Sequence, residues 1–203
     1  MPILRKQFCR FLGLFFFIKS VIYIFFMETI ASRELLADLF EEYSLWYSSL
    51  AGEYGTLPRS ISGVAEDGRQ FIYLLDGLEL HHMVRNKFIR FVLEEMQSVA
   101  YAYGSLDIRG ESDEGELVEL LDVVAADMER YITGSWQVIR GQDGRVTDLL
   151  HRGTREGRDT EKHPGSWFLA GSVRFSEVEK ARYGAIWQEA KSEVIFKDRN
   201  AAD

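Results

Sequence analysis

The amino-acid composition changes abruptly at Met27, and this break limits what the chain can fold into. Residues 1–26 contain four basic residues, no acidic residue and 7 of the 14 phenylalanines. Removing those four cations from the total of 24 leaves 20 basic against 32 acidic residues, so residues 27–203 carry a formal charge of −12. The sequence therefore joins an apolar, basic leader (residues 1–26) to an acidic body (residues 27–203).

The leader contains an apolar run, residues 11–27, that is 17 residues long. Spanning a bilayer core takes about 17 to 25 apolar residues, and Lys19 in the middle of this run makes insertion costly. Cations before the run would keep the amino terminus in the cytoplasm and translocate the body. Two interpretations stay open: a membrane anchor with an extracytoplasmic body, or an extension upstream of a translation start at Met27, which leaves the body cytoplasmic.

The body has the composition of a globular domain. The chain is 46% hydrophobic and 28% charged, with 3 prolines, which favours a packed core over disorder. Its 203 residues fit one domain of ordinary size, and we expect that domain to occupy residues 27–203. Cys9 is the one cysteine of the sequence, so an internal disulfide, a multi-thiolate zinc site and an iron–sulfur cluster are excluded.

Apolar residues at steps of three and four predict amphipathic helices at both ends of the body. Residues 30–54 hold the most regular such pattern and end in a glycine-rich stretch. Ser176 followed by Glu179 forms a potential capping box before the last helix.

Two further helical patterns are ambiguous. Residues 79–103 fit one long helix, or a helix that stops near Gln97 and a strand over 99–108. Leu117 to Tyr131 also fits a helix, although residues 117–126 fit a strand equally well. A short apolar run does not distinguish the periodicity of a helix from that of a strand, so both alternatives remain open.

Short apolar runs and alternating patterns predict the strands. They are Phe71 to Leu75, a hairpin of Trp136 to Ile139 and Val146 to Leu150 around Asp143-Gly144, Trp167 to Phe175, and Val194 to Phe196. Two segments rich in glycine and polar residues, 51–68 and 151–166, are predicted to be exposed loops. Together these elements predict an α+β fold: three to four amphipathic helices packed on a small, mainly antiparallel sheet.

Two acid–histidine pairs are candidates for a metal site. Glu79 and His82 have the spacing that places two ligands on one helical face, and Asp148 and His151 repeat this spacing in the predicted hairpin. A carboxylate-bridged site would need both pairs on facing helices and two further glutamates. We therefore expect no metal site, and these four residues form the alternative.

The segment around Gly153 and Gly157 could in principle cradle a phosphate. Four basic residues follow one another there: Arg152, Arg155, Arg158 and Lys162. The strand–loop–helix motif of phosphate-binding loops is missing, however, and intervening acids neutralise most of the charge. The sequence favours a solvated loop.

The acidic body argues against nucleic-acid binding, which needs a basic face to replace phosphate counterions. Arg85, Lys87 and Arg90 are a local exception, but their spacing does not align all three on one helical face. The four tryptophans fit on apolar faces, so core packing accounts for them before a ligand cage. We expect no cofactor and no nucleic acid.

A complete catalytic constellation is missing from the sequence, which leaves enzymatic activity undecided. We therefore predict a small acidic binding or regulatory protein that contacts a protein partner through an apolar or aromatic groove. The alternative is a metal-assisted hydrolase or oxidoreductase that uses Glu79, His82 and His151. A membrane is expected as a partner only if residues 11–27 form an anchor.

Overall fold

The computed structural model describes residues 33–75, 81–111, 117–158, 160, 165–169 and 174–198. Contacts within the chain separate two compact units, residues 1–35 and residues 36–203. Residues 33–35 of the first unit are helical, and everything below concerns the second unit. The predicted leader and its apolar run, residues 11–27, lie outside the described residues.

The described part of the chain contains three α-helices and seven strands. They are α1 (33–54), β1 (Ser60–Ala65), β2 (Arg69–Leu74), α2 (His82–Glu95), β3 (Ser98–Glu111), β4 (Leu117–Ala126), β5 (Tyr131–Arg140), β6 (Val146–Gly157), α3 (Glu177–Ala190) and β7 (Ile195–Asp198), with a 3-10 turn at Lys191–Glu193. The strands form one antiparallel sheet in the order β6-β5-β4-β3-β1-β2-β7. The α+β class is confirmed, and the sheet is larger than the small one predicted.

Residues 36–54 of α1 cover one face of the sheet. Alternate residues of a strand point to opposite faces, and Ser60, Ser62, Ala102 and Gly104 lie on the face that α1 covers. Ser60 pairs with Gly104 across β1 and β3, and the hydroxyls of Tyr43 and Tyr47 lie 2.6 and 2.7 Å from the Ser60 hydroxyl. A Cβ on Gly104 would lie 2.3 Å from the ring of Tyr47. The helix therefore approaches this face closely because the strand residues beneath it are small.

Helices α2 and α3 cover the opposite face with an aromatic core. Phe71 and Tyr73 of β2 lie 6.5 and 6.1 Å from the ring of Trp187 on α3. Phe88 of α2 lies 6.4 Å from the ring of Tyr73 and 6.3 Å from that of Tyr183. All five residues are almost fully buried, so this cluster fixes both helices on the β1–β2 side of the sheet.

The structure settles the two ambiguous segments as strands. Helix α2 ends at Glu95, and Gln97 at φ 50° turns the chain into β3, so the helix-then-strand alternative is correct. Leu117 to Ala126 is β4, so the strand alternative is correct here too. Strand β4 lies between β3 and β5, and its residues 123–126 are buried on both faces, so these apolar residues run together without the alternation that marks a half-exposed strand.

The predicted loops also contain strands. Residues 60–65 form the fully buried β1, where serine and glycine permit close packing rather than marking a turn. Residues 151–157 extend β6, whose charged residues are exposed at the edge of the sheet. The strand predicted for Trp167 to Phe175 is not found at residues 167–169 or 174–175, and residues 170–173 lie outside the described part.

Several local predictions are confirmed. Residues 33–54 are helical, the Asp143-Gly144 hairpin joins β5 to β6, and β2 and β7 lie where short strands were expected. Ser176 and Glu179 form the capping box in both directions. Among the described residues, no helix combines the length and apolar character needed to cross a membrane.

Candidate functional site

A cavity of about 780 Å³ lies on the α2 side of the sheet, above β3, β4, β5 and β6. It continues the face that carries the aromatic core, but farther along these strands. Its volume is in the range of small-molecule sites, about 300 to 1,000 Å³. The described residues that line it are polar and charged over much of its surface, so the cavity is the candidate functional site.

The floor of the cavity becomes polar along the direction of the strands. Tyr103 of β3 pairs with Val124 of β4, which pairs with Thr133 of β5. Two residues later in β3 and β5, and two residues earlier in the antiparallel β4, the same face carries a row of one carboxylate and two hydroxyls. These residues are Ser105, Asp122 and Ser135, which we call the acceptor row. Directly paired residues have Cβ atoms about 4.5 to 5.5 Å apart, so these three side chains lie within reach of one ligand.

The acceptor row is held by a hydrogen bond of its own. Ser135 Oγ donates to Asp122 Oδ1 at 2.5 Å, and this contact fixes the orientation of the carboxylate. Arg152 of β6 donates to the amide oxygen of Gln137 on β5, which positions its guanidinium at the rim. The floor thus presents an oriented anion with a cation beside it.

Two arginines enter the cavity from other elements. Arg59 precedes β1, and its Nη2 lies 3.4 Å from the carbonyl oxygen of Leu106. Arg85 projects from the first half of α2, beside Asn86. The Nε of Arg85 is buried and finds no hydrogen-bond acceptor among the described residues. Burying a charged donor without an acceptor is costly.

Aromatic side chains close the cavity near residues 165–169. The Tyr101 hydroxyl donates to the carbonyl oxygen of Gly165 at 2.8 Å and accepts from the backbone N–H of Phe168 at 3.1 Å. Burial raises the pKa of Tyr101, which keeps this phenol protonated as a donor. Arg90 lies 5.4 Å over the ring of Trp167. These contacts hold Trp167 and Phe168 in place as an apolar wall.

The phenol of Tyr103 faces the polar part of the site. Burial raises its pKa, while the nearby cations Arg85 and Arg59 and the hydroxyl of Ser105 act in the opposite direction. The net direction is upward, so the Tyr103 hydroxyl remains a hydrogen-bond donor at neutral pH. Because both arginines act on the hydroxyl of Tyr103, they approach the same end of the cavity.

The charge of the lining is opposite in sign to that of the body. Among the described lining residues are four arginines, Arg59, Arg85, Arg152 and Arg155, against two aspartates, Asp107 and Asp122. Their formal sum is +2, whereas residues 27–203 sum to −12. A concave surface makes such a local excess effective over short distances. The cavity therefore attracts anions that the rest of the surface repels.

The residues predicted as a metal site do not converge on this cavity. Glu79 lies outside the described residues, and His82 begins α2 with a side chain outside the description. Asp148 and His151 lie three positions apart on β6 with no bulge between them, so their side chains point to opposite faces. His151 packs 5.2 Å from the ring of Trp136 and lies 3.0 Å from the Thr154 hydroxyl. Among the described residues, no group of three or more metal-ligating side chains is found.

Sequence reasoning missed most of the cavity because its residues come from distant segments. One signal was available: the run of arginines near Gly153, interpreted as a solvated loop, supplies Arg152 and Arg155. The spacing of Arg85, Lys87 and Arg90 does not align all three on one helical face, and each has different neighbours. Arg85 faces the cavity, Lys87 pairs with Glu179 at 2.5 Å, and Arg90 stacks on a tryptophan.

Comparisons with known proteins add no assignment. No family model, no curated protein and no solved structure matches this chain. Any functional proposal for this protein therefore rests on the residues that line the cavity.

Proposed function

We propose that this protein binds a small organic anion in the cavity above β3–β6. The observation that carries the proposal is the excess of positive charge in the described lining of the cavity, to which Arg59, Arg85, Arg152 and Arg155 contribute. A carboxylate accepts hydrogen bonds from a guanidinium fork in matching geometry. Such a ligand would neutralise part of the local charge.

The aromatic wall supports a ligand with a flat apolar part. The rings of Trp167 and Phe168 lie 4.9 Å apart, and that of Tyr103 lies 5.2 Å from Phe168. Ligand sites commonly combine an apolar wall with a few placed polar groups that fix orientation. A ring that bears a carboxylate fits this division, with the ring against the aromatic side chains and the charge towards Arg85.

Calorimetric titration of the full-length chain tests the proposal. The probes are benzoate, its neutral isostere benzamide, acetate and inorganic phosphate. We expect saturable binding of benzoate, at least about tenfold weaker binding of benzamide because one charge-assisted contact is lost, and loss of benzoate binding in Arg85→Gln. The matched control is Arg182→Gln, which removes the same charge from the exposed surface of α3.

Two results would overturn this function. The first is the absence of saturable binding for every anion in the set. The second is equal affinity for benzoate in Arg85→Gln and the parent chain, which would place the anion elsewhere.

The functions predicted from the sequence remain predictions. A protein partner would contact exposed apolar residues such as Leu45, Met128 and Val178, which lie on or beside three different elements. A metal-assisted enzyme would depend on residues that lie partly outside the described chain. The cavity is the feature whose geometry favours a specific chemistry, the binding of a small organic anion, and we propose that function for this reason.

A further inference from the structure

Resting on the proposed function, we infer that the ligand is a dicarboxylate with its two acidic groups at opposite ends, and that the second group binds Arg152 and Arg155 on β6. The juxtaposition behind this inference is a pair of arginines that a β-bulge places on the cavity face, apart from Arg85. The formal charge of the described lining is +2 after Asp107 and Asp122 are counted. A ligand with two negative charges matches this excess.

A β-bulge in β6 changes the direction in which Arg152 points. The pairing of β5 with β6 shifts between Ser135 and Trp136, whose partners are Gly153 and His151. Arg152 is therefore an extra residue between two paired positions. Gly153 follows it with φ 149°, a backbone region that favours glycine. Bulges redirect side chains and are frequent next to functional sites.

The bulge places Arg152 and Arg155 on the same face of the sheet. Arg155 pairs with Thr133, whose side chain lines the cavity. Arg152 donates to the amide oxygen of Gln137, which lies four residues after Thr133 on β5 and so points to the same face. In a regular strand, residues three positions apart point to opposite faces. The shift in pairing therefore gives the cavity two arginines from β6 instead of one.

The charged group of Arg152 is held far from that of Arg85. Arg85 acts on the hydroxyl of Tyr103 on β3, whereas Arg152 is bonded to Gln137 on β5. Tyr103 lies in one cross-strand row with Thr133. Gln137 is therefore two strand spacings from Tyr103 across the sheet, about 10 Å, and four residues along it, about 13 Å. One carboxylate group does not reach both places, whereas two groups joined by a ring system do.

The cavity has room for an extended ligand between these two places. Its apolar wall lies over β3, where the ring of Phe168 is 5.2 Å from that of Tyr103. Towards β6 the described lining residues are small: Ser135, Gly153 and Thr154. A Cβ on Gly153 would meet no atom within 4 Å. A ring can therefore lie against the wall while a second acid extends towards β6.

The test compares dianions with monoanions of the same shape by calorimetric titration of the full-length chain. The pairs are terephthalate with benzoate, and biphenyl-4,4′-dicarboxylate with biphenyl-4-carboxylate. In at least one pair we expect the dianion to bind about fivefold or more tightly than the monoanion, which is the gain of an ion pair at a partly exposed site. This comparison needs no protein variant, so it stands even where a substitution impairs folding.

Phthalate separates the position of the second acid from its charge. It has the charge of terephthalate, but both of its acids lie at one end of the ring. Because the second acid cannot extend towards β6, phthalate should bind less than about twofold more tightly than benzoate.

The double variant Arg152→Gln/Arg155→Gln then locates the second group. The advantage of the dianion should fall to about twofold or less. Affinity for the monoanion should change by less than about threefold, since it binds at Arg85 and solvent ions screen more distant charges. The matched control is Arg158→Gln/Arg182→Gln, which removes the same two charges from exposed positions outside the described lining. The control should keep the full advantage of the dianion.

The outcomes separate the two proposals. If none of the anions binds, or if Arg85→Gln leaves benzoate binding intact, the proposed function fails and this inference falls with it. If benzoate binds through Arg85 but neither dianion gains affinity over its monoanion, only the inference is overturned. A gain by phthalate as large as that by terephthalate, or an advantage of the dianion that persists in Arg152→Gln/Arg155→Gln, would also overturn only the inference.

Discussion

The two faces of the same strands differ sharply in how they are packed. Towards α1, β3 presents Gly104, and a Cβ there would collide with Tyr47. The next residue, Ser105, points to the other face and lines an open cavity. One step along the strand therefore separates a close-packed interface from a binding site.

This difference shows how a single sheet can be rigid and functional at once. The α1 face buries the hydroxyls of Tyr43, Tyr47 and Ser60 in mutual hydrogen bonds, and burial is the largest cause that raises the pKa of Tyr43. The opposite face keeps its hydroxyls and Asp122 accessible to a ligand. The packed face holds the strands in register, which fixes the positions of the polar groups on the open face.

The comparison predicts that Gly104→Val is the most damaging of the substitutions considered. The valine side chain would overlap the Tyr47 ring. Overpacking of this kind lowers the free energy of unfolding by about 1 to 3 kcal/mol. Urea denaturation followed by circular dichroism measures the loss. The paired substitution Ser105→Ala, one residue away on the open face, should change stability by less than about 0.5 kcal/mol. Equal losses at both positions would refute the contrast between the faces.

Ser60→Ala should have an intermediate effect. It removes one hydrogen-bond partner of two buried phenols, of which Tyr47 keeps its bond to the carbonyl oxygen of Pro58, and the loss of a hydrogen bond costs about 0.5 to 1.5 kcal/mol. The matched substitution is Ser135→Ala on the open face, where water can replace the lost hydroxyl. We expect its cost to be less than half that of Ser60→Ala in the same denaturation experiment. A larger loss of stability in Ser135→Ala than in Ser60→Ala would show that the hydrogen bonds of the cavity floor contribute more to stability than those of the α1 face.

The smallest effect concerns the outer side of the α2–α3 layer and depends on pH. The hydrogen bond from Lys87, followed by those from Ser176, lowers the pKa of Glu179 from 4.5 to about 2. Because the folded-state pKa is depressed, the stabilisation is complete above pH 4.5 and is lost as the pH falls through about 2. This carboxylate is exposed and solvent screens it, so the effect is small.

Glu179→Gln checks this pH dependence. The stability difference between the parent and this variant should be greatest above pH 4.5 and shrink towards pH 2. Melting temperatures across that pH range supply the measurement. A difference that stays constant down to pH 2 would contradict the shifted pKa.

Local sequence signals were sufficient to predict elements whose stabilising contacts lie within a few neighbouring residues. The capping box at Ser176 and the Asp143-Gly144 turn depend on a few neighbouring residues, and both were predicted correctly. Strand β4 stayed ambiguous because burial of residues 123–126 on both faces removes the alternation by which strands are recognised. Strand β1 was misjudged because its serines and glycine serve packing against neighbouring elements, which no local pattern reveals.

The sequence alone determined the α+β class, the first and last helices, the central hairpin and the acidic charge of the body. Tertiary structure decided that Arg59, Arg85, Asp122 and Arg152, from four separate elements, line one cavity. The physical reason is that helix caps and turns are stabilised by contacts within a few residues. The cavity, by contrast, depends on strand register between residues far apart in the chain, and that register is fixed only when both faces of the sheet are packed.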